Sequence, residues 1–392
     1  YIGIFIIMFS VISSGMVAVM TQNIGAGRPG VAYQARQLGL AFNAVLGIIM
    51  SLFLSLGAGT ILSGVGVADA LMQPAKTYLQ IVGGFCILNA LIPICSSYLR
   101  AFGFSKEPLY ASIIGNVINF CLNAFFLFVL HKGVAGVATA TVISRIINLV
   151  IVVLLGAVLV KAKQHPERES NREVMGQIIR IGLPSACETA IYNVSMTLVI
   201  RFLNQMDAQG LNVTARSYTM QITNFSYCVG AALAQANAIM TGWHIGAKEY
   251  DACDRGTRKA AIIGVIVAVI LETMFALCSG WIMQLFSKDP QMVSLVGKLL
   301  AIDIVLEMGR VTNLVYGQAL KTSGDAVFPV VMGACFMILC SVGGTYLFGI
   351  RLGLLAVGAY IGMAGDECVR AVGMYLRWKS GKWKEKGLVK SR

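Results

Sequence analysis

Along this chain, apolar runs long enough to cross the roughly 30 Å of a bilayer's hydrocarbon follow one another with only short polar breaks between them. Eleven can be placed, at residues 2–23, 37–61, 75–99, 109–130, 134–160, 174–203, 212–243, 257–284, 292–319, 326–349 and 353–376. Several exceed the minimum of about 20 residues, which predicts tilt or extension past the hydrocarbon. The pattern predicts an all-α membrane protein. Two polar stretches stand out from it, the segment 161–173 within KAKQHPERESNREV and the tail 377–392, RWKSGKWKEKGLVKSR.

Composition points the same way. Of 392 residues, 57% are hydrophobic and 12% charged, about half the charge of a soluble domain. The 42 glycines suit close helix approach in lipid. A soluble helical protein of this make-up would expose large apolar patches, which argues against that class. The ten cysteines lie mostly inside apolar runs without a CxxC and read as small buried hydrophobes.

The net charge of +13 is spread over loops and tail, where anionic headgroups account for it better than nucleic acid does. Alternating the loops across the membrane puts twenty Lys and Arg on one side, Lys161, Lys163, Lys321 and the tail among them. The other side collects seven: Lys76, Lys132, Arg201, Arg216, Lys288, Lys298 and Arg351. The richer side is therefore cytoplasmic, the C-terminus is inside, and the plasma (bacterial inner) membrane is the expected location. Residues 1–20 carry neither a charged leader nor a cleavage motif and read as a span, not a signal peptide.

The chain also matches itself. Ile24-Gly25-Ala26-Gly27 pairs with Ile245-Gly246-Ala247-Lys248, and Leu99, Gly103 and Pro108 pair with Leu320, Gly324 and Pro329, all 221 residues apart; GVAGVATA from Gly133 pairs with GLLAVGAY from Gly353 at 220. A repeat of this length is a recurrent transporter design. It divides the chain into an N-terminal bundle, 1–160, a cytoplasmic linker, 161–173, a C-terminal bundle, 174–376, and the basic cytoplasmic tail, 377–392. The halves are expected to be parallel repeats of five and six helices, the counterpart of run 174–203 falling before residue 1, so that the first half reads as lacking its first helix.

The order of TQNIGAG (Thr21 to Gly27), LRAFGFSKEPL (Leu99 to Leu109), GVAGVATATVIS (Gly133 to Ser144) and IGLPSACE (Ile181 to Glu188), together with the half-repeat, resembles the multidrug and toxic compound extrusion (MATE) family from its second helix onward. DECVRAVGMYLRWKSGKW (Asp366 to Trp383) looks like the ending of a bacterial subgroup. The resemblance implies a fold of six plus six helices around a central cavity. It also implies secondary active multidrug efflux by alternating access, exchanging organic, often cationic, compounds for H⁺ or Na⁺; such a protein is an antiporter, not an enzyme, and works as a monomer in the bilayer. One branch of the family places its coupling acid in the first helix. Another carries a Glu about two turns after the GLP motif, a place held here by Tyr192, with the acid one turn earlier at Glu188.

Charge at membrane depth is costly, so each ionisable group inside a run is a functional candidate on its own account. Glu188 lies about 12 Å from the cationic flank at Arg180, counting 1.5 Å per helical residue. Low dielectric favours the neutral form of a carboxyl, so a proton gained there and released when water arrives suits coupling; a fixed hydrogen bond between helices is the alternative. Asp303, Glu307 and Arg310 share one helix face, where Arg310 can neutralise Glu307 and leave Asp303 as the freer cation or proton site. Glu272 is alone midway along 257–284, either a coupling group or a neighbour's partner. Asp366 and Arg370 are spaced for an internal ion pair, with Glu367 beside them. Arg145 is a further candidate partner for these acids.

Amides and aromatics supply cavity or substrate candidates: Asn116, Asn119 and Asn123 on one run, then Tyr192, Asn193, Gln221 and Asn224. Gly182 and Pro184 are expected to interrupt run 174–203, because proline removes a backbone donor and clashes with the preceding turn, making a candidate hinge below Glu188. No P-loop, HExxH, nucleophile elbow or CxxCH is present, and the three histidines are scattered, so no metal or cofactor other than the coupling ion is expected. Two other readings compete. A lipid-linked oligosaccharide flippase would want a cationic cavity for diphosphate, and a non-transporting receptor or scaffold would keep its buried acids all paired.

Overall fold

The computed structural model describes residues 2–65, 69–161, 165–207 and 209–389, and every regular element among them is helical. Residues 162–164 of the expected linker, Lys163 included, and 390–392 of the expected tail lie outside the described residues. The chain separates into two compact units, Tyr1–Leu183 and Pro184–Arg392.

In the first unit, α1 (Ile2–Gly25) ends in a sharp turn at Gly27, whose φ of 72° suits a residue without Cβ. Next, α2 (Pro29–Leu56) opens on proline, where no helical donor is lost. α3 (Ala58–Val65), α4 (Asp69–Tyr78), a π-helical turn (Leu79–Gly83) and α5 (Ile87–Ala101) follow, with a bend of 40° at the break before α5. α6 (Lys106–Ala124) runs on through a π-helical turn, Phe125–Val129, to α7 (Gly133–Leu159). α5 packs against α1, α2 and α7, and α6 against α7.

α8 (Asn171–Met206) runs unbroken through Pro184, so the expected interruption is absent. Gly182 serves packing instead: a Cβ there would lie 1.7 Å from the Val11 carbonyl oxygen, and one on Gly15 would lie 2.0 Å from that of Ile178. The first turns of α8 are thereby held to α1, and the division between units falls inside α8, beyond the polar linker. The linker itself is tied down, as Arg28 pairs with Glu169. Gln34 donates to the Glu169 carbonyl at 2.7 Å and accepts from its N–H at 3.1 Å.

The second unit comprises the rest of α8, then α9 (Leu211–Gly246), α10 (Tyr250–Leu277), α11 (Ser279–Met283), α12 (Pro290–Thr322), α13 (Val327–Phe336), π-helical turns at Met337–Val342 and Thr345–Arg351, and α14 (Leu355–Lys379). α12 is central, packing on α9, α10 and α14, with Leu299, Leu306, Val311 and Val315 fully buried. The tail after α14 folds back on the unit, while Lys379, Lys382 and Lys384 stay exposed. Trp383 is buried, stacks on Trp378 at 4.1 Å between ring centres, and donates to the Trp378 carbonyl at 2.9 Å. Trp378 donates in turn to Asp254, and Arg377 and Lys386 both pair with Asp325.

Helix ends and turn conformations recur between the units at fixed spacing. Gly27 and Lys248 are both left-handed, at φ 72° and 60°, as are Gly103 and Gly324, at 89° and 98°, each pair 221 residues apart. The ends of α2 and α10 match at the same spacing. Beyond the π-helical turns the spacing becomes 222: His131 and Gly133 (φ 49° and 52°) correspond to Gly353 and Leu355 (69° and 53°), and Gly136 meets Phe126 as Gly358 meets Phe348. The sequence match of Gly133 with Gly353 is therefore two residues out of register. An i→i+5 turn encloses one residue more than an α turn, and the second unit has the extra π-helical stretch Met337–Val342 where the first is α-helical.

Among the described residues, five segments are long and apolar enough to cross a membrane: α2, α6 with its π turn, α7, α10 and Val327–Arg351; counting the bent α4–α5 pair makes six. That is fewer than the eleven runs expected. α8, α9, α12 and α14 coincide with expected runs, but they carry the buried charges and amides, which dilute their hydropathy. The apolar helices turn large side chains outward, among them Phe120, Phe128 and Leu277, each at least three-quarters exposed. Such a belt is stable only against lipid. The fold is a multi-pass helical membrane fold. Of the cysteines, Cys86, Cys95 and Cys253 are buried as expected, but Cys121, Cys187, Cys228, Cys278 and Cys335 are exposed.

Candidate functional site

α12 turns its polar stripe into the middle of the second unit, where Asp303 and Glu307 meet Glu272 of α10 and Asp366, Glu367 and Arg370 of α14, all buried. Arg370 grips Asp366 in a two-pronged contact, Nε to Oδ1 at 2.9 Å and Nη2 to Oδ2 at 3.0 Å. Its Nη2 also lies 2.9 Å from Glu367 Oε1. Ser341 donates to Asp366 at 2.9 Å and Asn313 to Glu367 at 3.0 Å. Arg310 lies 2.9 Å from Glu307 Oε2 and 3.6 Å from Glu367 Oε1. Glu367 thus joins the two pairs read from sequence, 307 with 310 and 366 with 370, into one network.

Five carboxyls share two guanidiniums here, and two of the acids are left over. Asp303 forms no ion pair among the described residues, and its Oδ2 accepts no hydrogen bond. Neither oxygen of Glu272 accepts one of normal geometry, although the Ser226 hydroxyl is close enough to interact. Glu272 stands within electrostatic reach of both Asp303 and Glu307.

Asp303 opens onto a cleft of about 270 Å³ within this unit. α8 lines it with Tyr192 and Met196, α9 with Arg216, Met220, Thr223, Asn224 and Tyr227, α12 with Asp303, Leu306 and Arg310, and α14 with Tyr360 and Met363. The face of Tyr227 lies 5.9 Å from the Arg310 guanidinium. Of the residues expected from sequence, the cleft gathers Tyr192, Asn224, Asp303 and Arg310. It also takes in Arg216, which charge counting had placed with the outer loops, and Tyr360, which carried no sequence signal.

The other candidates lie elsewhere. Glu188 ends 2.6 Å from Lys321 Nζ, near the end of α12. Asn193 donates to the carbonyl of Thr189 on its own helix, and Gln221 is exposed on α9. In the first unit, Asn123 donates to Asn119 at 3.1 Å and Asn116 is exposed. Glu307, Asp366, Glu367 and Glu188 take their cations from Arg310, Arg370 and Lys321 of their own unit, not from Arg145. Among the described residues no cluster of three or more metal-ligating side chains occurs.

A family model described as MatE matches residues 2–125 and 184–347, most of both units. The chain belongs to the MatE family. It is 32% identical to the uncharacterized transporter YisQ of Bacillus subtilis over 99% of this chain and 86% of that protein. It is 22% identical to a probable multidrug resistance protein NorM of Thermotoga maritima over 96% of this chain and 82% of that one. Among solved structures, a MATE crystal structure in the bent conformation superposes with a TM-score of 0.88 at 18% identity, covering 97% of this chain and 86% of the other. The MATE transporter ClbM in complex with Rb⁺ gives 0.83, also at 18% identity, over 98% and 86%. These two likenesses carry the fold.

Within this MatE chain, the spacing of 221 and 222 residues finds no second acid cluster. Glu272, Asp303, Glu307 and Arg310 correspond to Ser51, Val82, Cys86 and Asn89, and Asp366, Glu367 and Arg370 to Ser144, Arg145 and Asn148. Cys86 interacts with Asn89 and lies within electrostatic reach of Arg145, so these counterparts are also gathered together.

Proposed function

We propose that the protein is a secondary active efflux transporter of the plasma membrane, built of two parallel repeats with its C-terminus in the cytoplasm and working by alternating access. It exchanges small organic compounds for H⁺ or Na⁺. Asp303 is the coupling group, and the observation that carries this reading is that Asp303 is 2% exposed, forms no ion pair among the described residues although Arg310 is within electrostatic reach, and lines the cleft. A buried carboxylate without an ion-pair partner is stabilised by binding a proton, a metal cation or a cationic substrate group, and competition among these is antiport. Glu272 is its proton-holding neighbour. The Glu307–Arg310 and Asp366–Arg370 pairs are structural, each within its own helix; Glu367, through Arg310 and Asn313, holds α14 to α12, and Glu188 with Lys321 joins α8 to α12.

The cleft residues Tyr192 and Asn224 contact substrate. Asn193 and Gln221, with Asn116, Asn119 and Asn123, serve the pathway outside the cleft. Gly182 and Pro184 act as a packing point where α8 passes from one unit to the other. A flippase reading is disfavoured by the excess of acids at the centre, and a scaffold by two acids left unpaired.

The test is dye efflux from proteoliposomes with pH and Na⁺ gradients imposed separately. Asp303→Asn is expected to cut gradient-driven efflux at least tenfold, Glu272→Gln to shift its pH dependence, and Glu188→Gln to leave coupling in place. Full coupling in Asp303→Asn sinks the assignment.

A further inference from the structure

Arg216 stands outside the ion-pair network. It is 7% exposed, lines the cleft, and forms no ion pair among the described residues. Its Nε has no hydrogen-bond partner, and Nη2 reaches only the Met196 sulfur at 3.7 Å. Other acids of the unit are committed elsewhere. Asp207, at the foot of α9, accepts from the N–H groups of Leu211 and Asn212 at 2.8 and 3.0 Å. Glu307 and Glu367 belong to Arg310 and Arg370. Asp303 shares the cleft without pairing to Arg216, and the Tyr360 phenol lies within electrostatic reach of both.

A guanidinium removed from water needs a compensating anion or hydrogen-bond acceptors, and here the described residues pair no anion with it and offer only the weak sulfur acceptor of Met196. The cleft thus holds one cation, Arg216, and one acid, Asp303, that form no ion pair among the described residues, Asp303 having Arg310 within electrostatic reach. Its other walls include Tyr192, Tyr227 and the thioethers of Met196 and Met363, which adapt to an aromatic or aliphatic body. An occupant carrying a single positive charge would satisfy Asp303 and leave Arg216 bare. The planar fork of arginine matches a carboxylate.

We propose that Arg216 is a specificity-determining residue that binds a substrate carboxylate, so that the cleft takes amphoteric compounds, with the carboxylate on Arg216 and a protonated amine on Asp303. This rests on the reading of the cleft as the substrate site.

The probes are dansyl-lysine, which has both groups, and its methyl ester, which keeps only the amine. Binding to the full chain in nanodiscs is followed by dansyl fluorescence. Wild type is expected to bind dansyl-lysine more tightly than the ester. Arg216→Gln should weaken dansyl-lysine at least tenfold while holding or tightening the ester, since a like charge has been removed from its site. Arg216→Lys should keep the wild-type order with a smaller margin. Wild type that binds neither probe or prefers the ester overturns the proposal, as does Arg216→Gln that changes both probes alike while Arg216→Lys shows no preference. If the binding pattern holds but no ion gradient moves dansyl-lysine across proteoliposomes, the carboxylate site stands and the transport reading falls.

Discussion

Where the second unit buries Glu272, Glu307, Arg310 and Glu367, the first has Ser51, Cys86, Asn89 and Arg145 at matching positions. The backbones around them share helix ends and left-handed turns, so the difference is one of side chains on a common frame. Apart from the half-buried Arg145, the first set is a hydroxyl, a thiol and an amide, which need little compensation. The acid set needs Arg310 and Arg370 held in place, with Asn313 and Ser341 filling the remaining lone pairs. The same scaffold therefore makes one unit tolerant at this place and the other dependent on every member of a network.

The sharpest way to break that comparison is to remove the same position from each unit. Arg370→Met leaves Asp366 buried without its cation and Glu367 with only the longer contact to Arg310, and should cost about 3–5 kcal/mol, whereas Asn148→Ala in the first unit should cost about 1 kcal/mol or less. Thermal unfolding in detergent measures both, and equal losses would mean the network carries no special weight. Next in size, Trp383→Ala opens the stacked tail, with an expected loss of about 3 kcal/mol for a buried aromatic and faster proteolysis after α14.

Close-packed glycines give a finer contrast. A Cβ on Gly358 meets the Phe348 backbone carbon at 2.4 Å, while one on Gly136 meets the Phe126 side chain at 2.7 Å. Side chains yield more readily than backbone, so Gly358→Ala should cost about 2–3 kcal/mol and Gly136→Ala about 1 kcal/mol. The reverse order in unfolding midpoints would unseat the proposed correspondence.

The smallest effect belongs to Asp207 in the loop before α9. Desolvation alone would push its carboxyl up, but hydrogen bonds from Asn212, Leu211 and Gly210 outweigh it and hold the carboxyl below its ordinary value. A carboxyl depressed on folding lends stability above its unfolded pKa and loses it as the pH falls through the folded one. Asp207→Ala should therefore lower stability by about 1 kcal/mol at neutral pH and by less in acid; a loss that stays constant in acid would contradict this.

Much of this was legible in the chain. Long apolar runs located the helical rods, and the i, i+3 spacing of 307 and 310 and the i, i+4 spacing of 366 and 370 identified the pairs. Glu367 was visible as a charge beside Asp366, but nothing in local spacing says that it reaches Arg310 from another helix. Arg216 was misfiled because its position near the start of a run looks like a loop flank, and only tertiary packing turns it into the cleft. Pro184 failed as a helix breaker because a long helix packed on both sides of one lost hydrogen bond keeps its course. Gly182 gave no sign in sequence that its neighbour would be a backbone carbonyl.

The step in spacing from 221 to 222 has a consequence for how such halves drift apart. A widened helical turn takes in a single added codon without unthreading either end of its helix, so length changes need not be lethal to a duplicated segment. Once one copy had absorbed such an insertion, side chains on either side of it could be reassigned independently of their twins, leaving two descendants of one ancestor free to specialise.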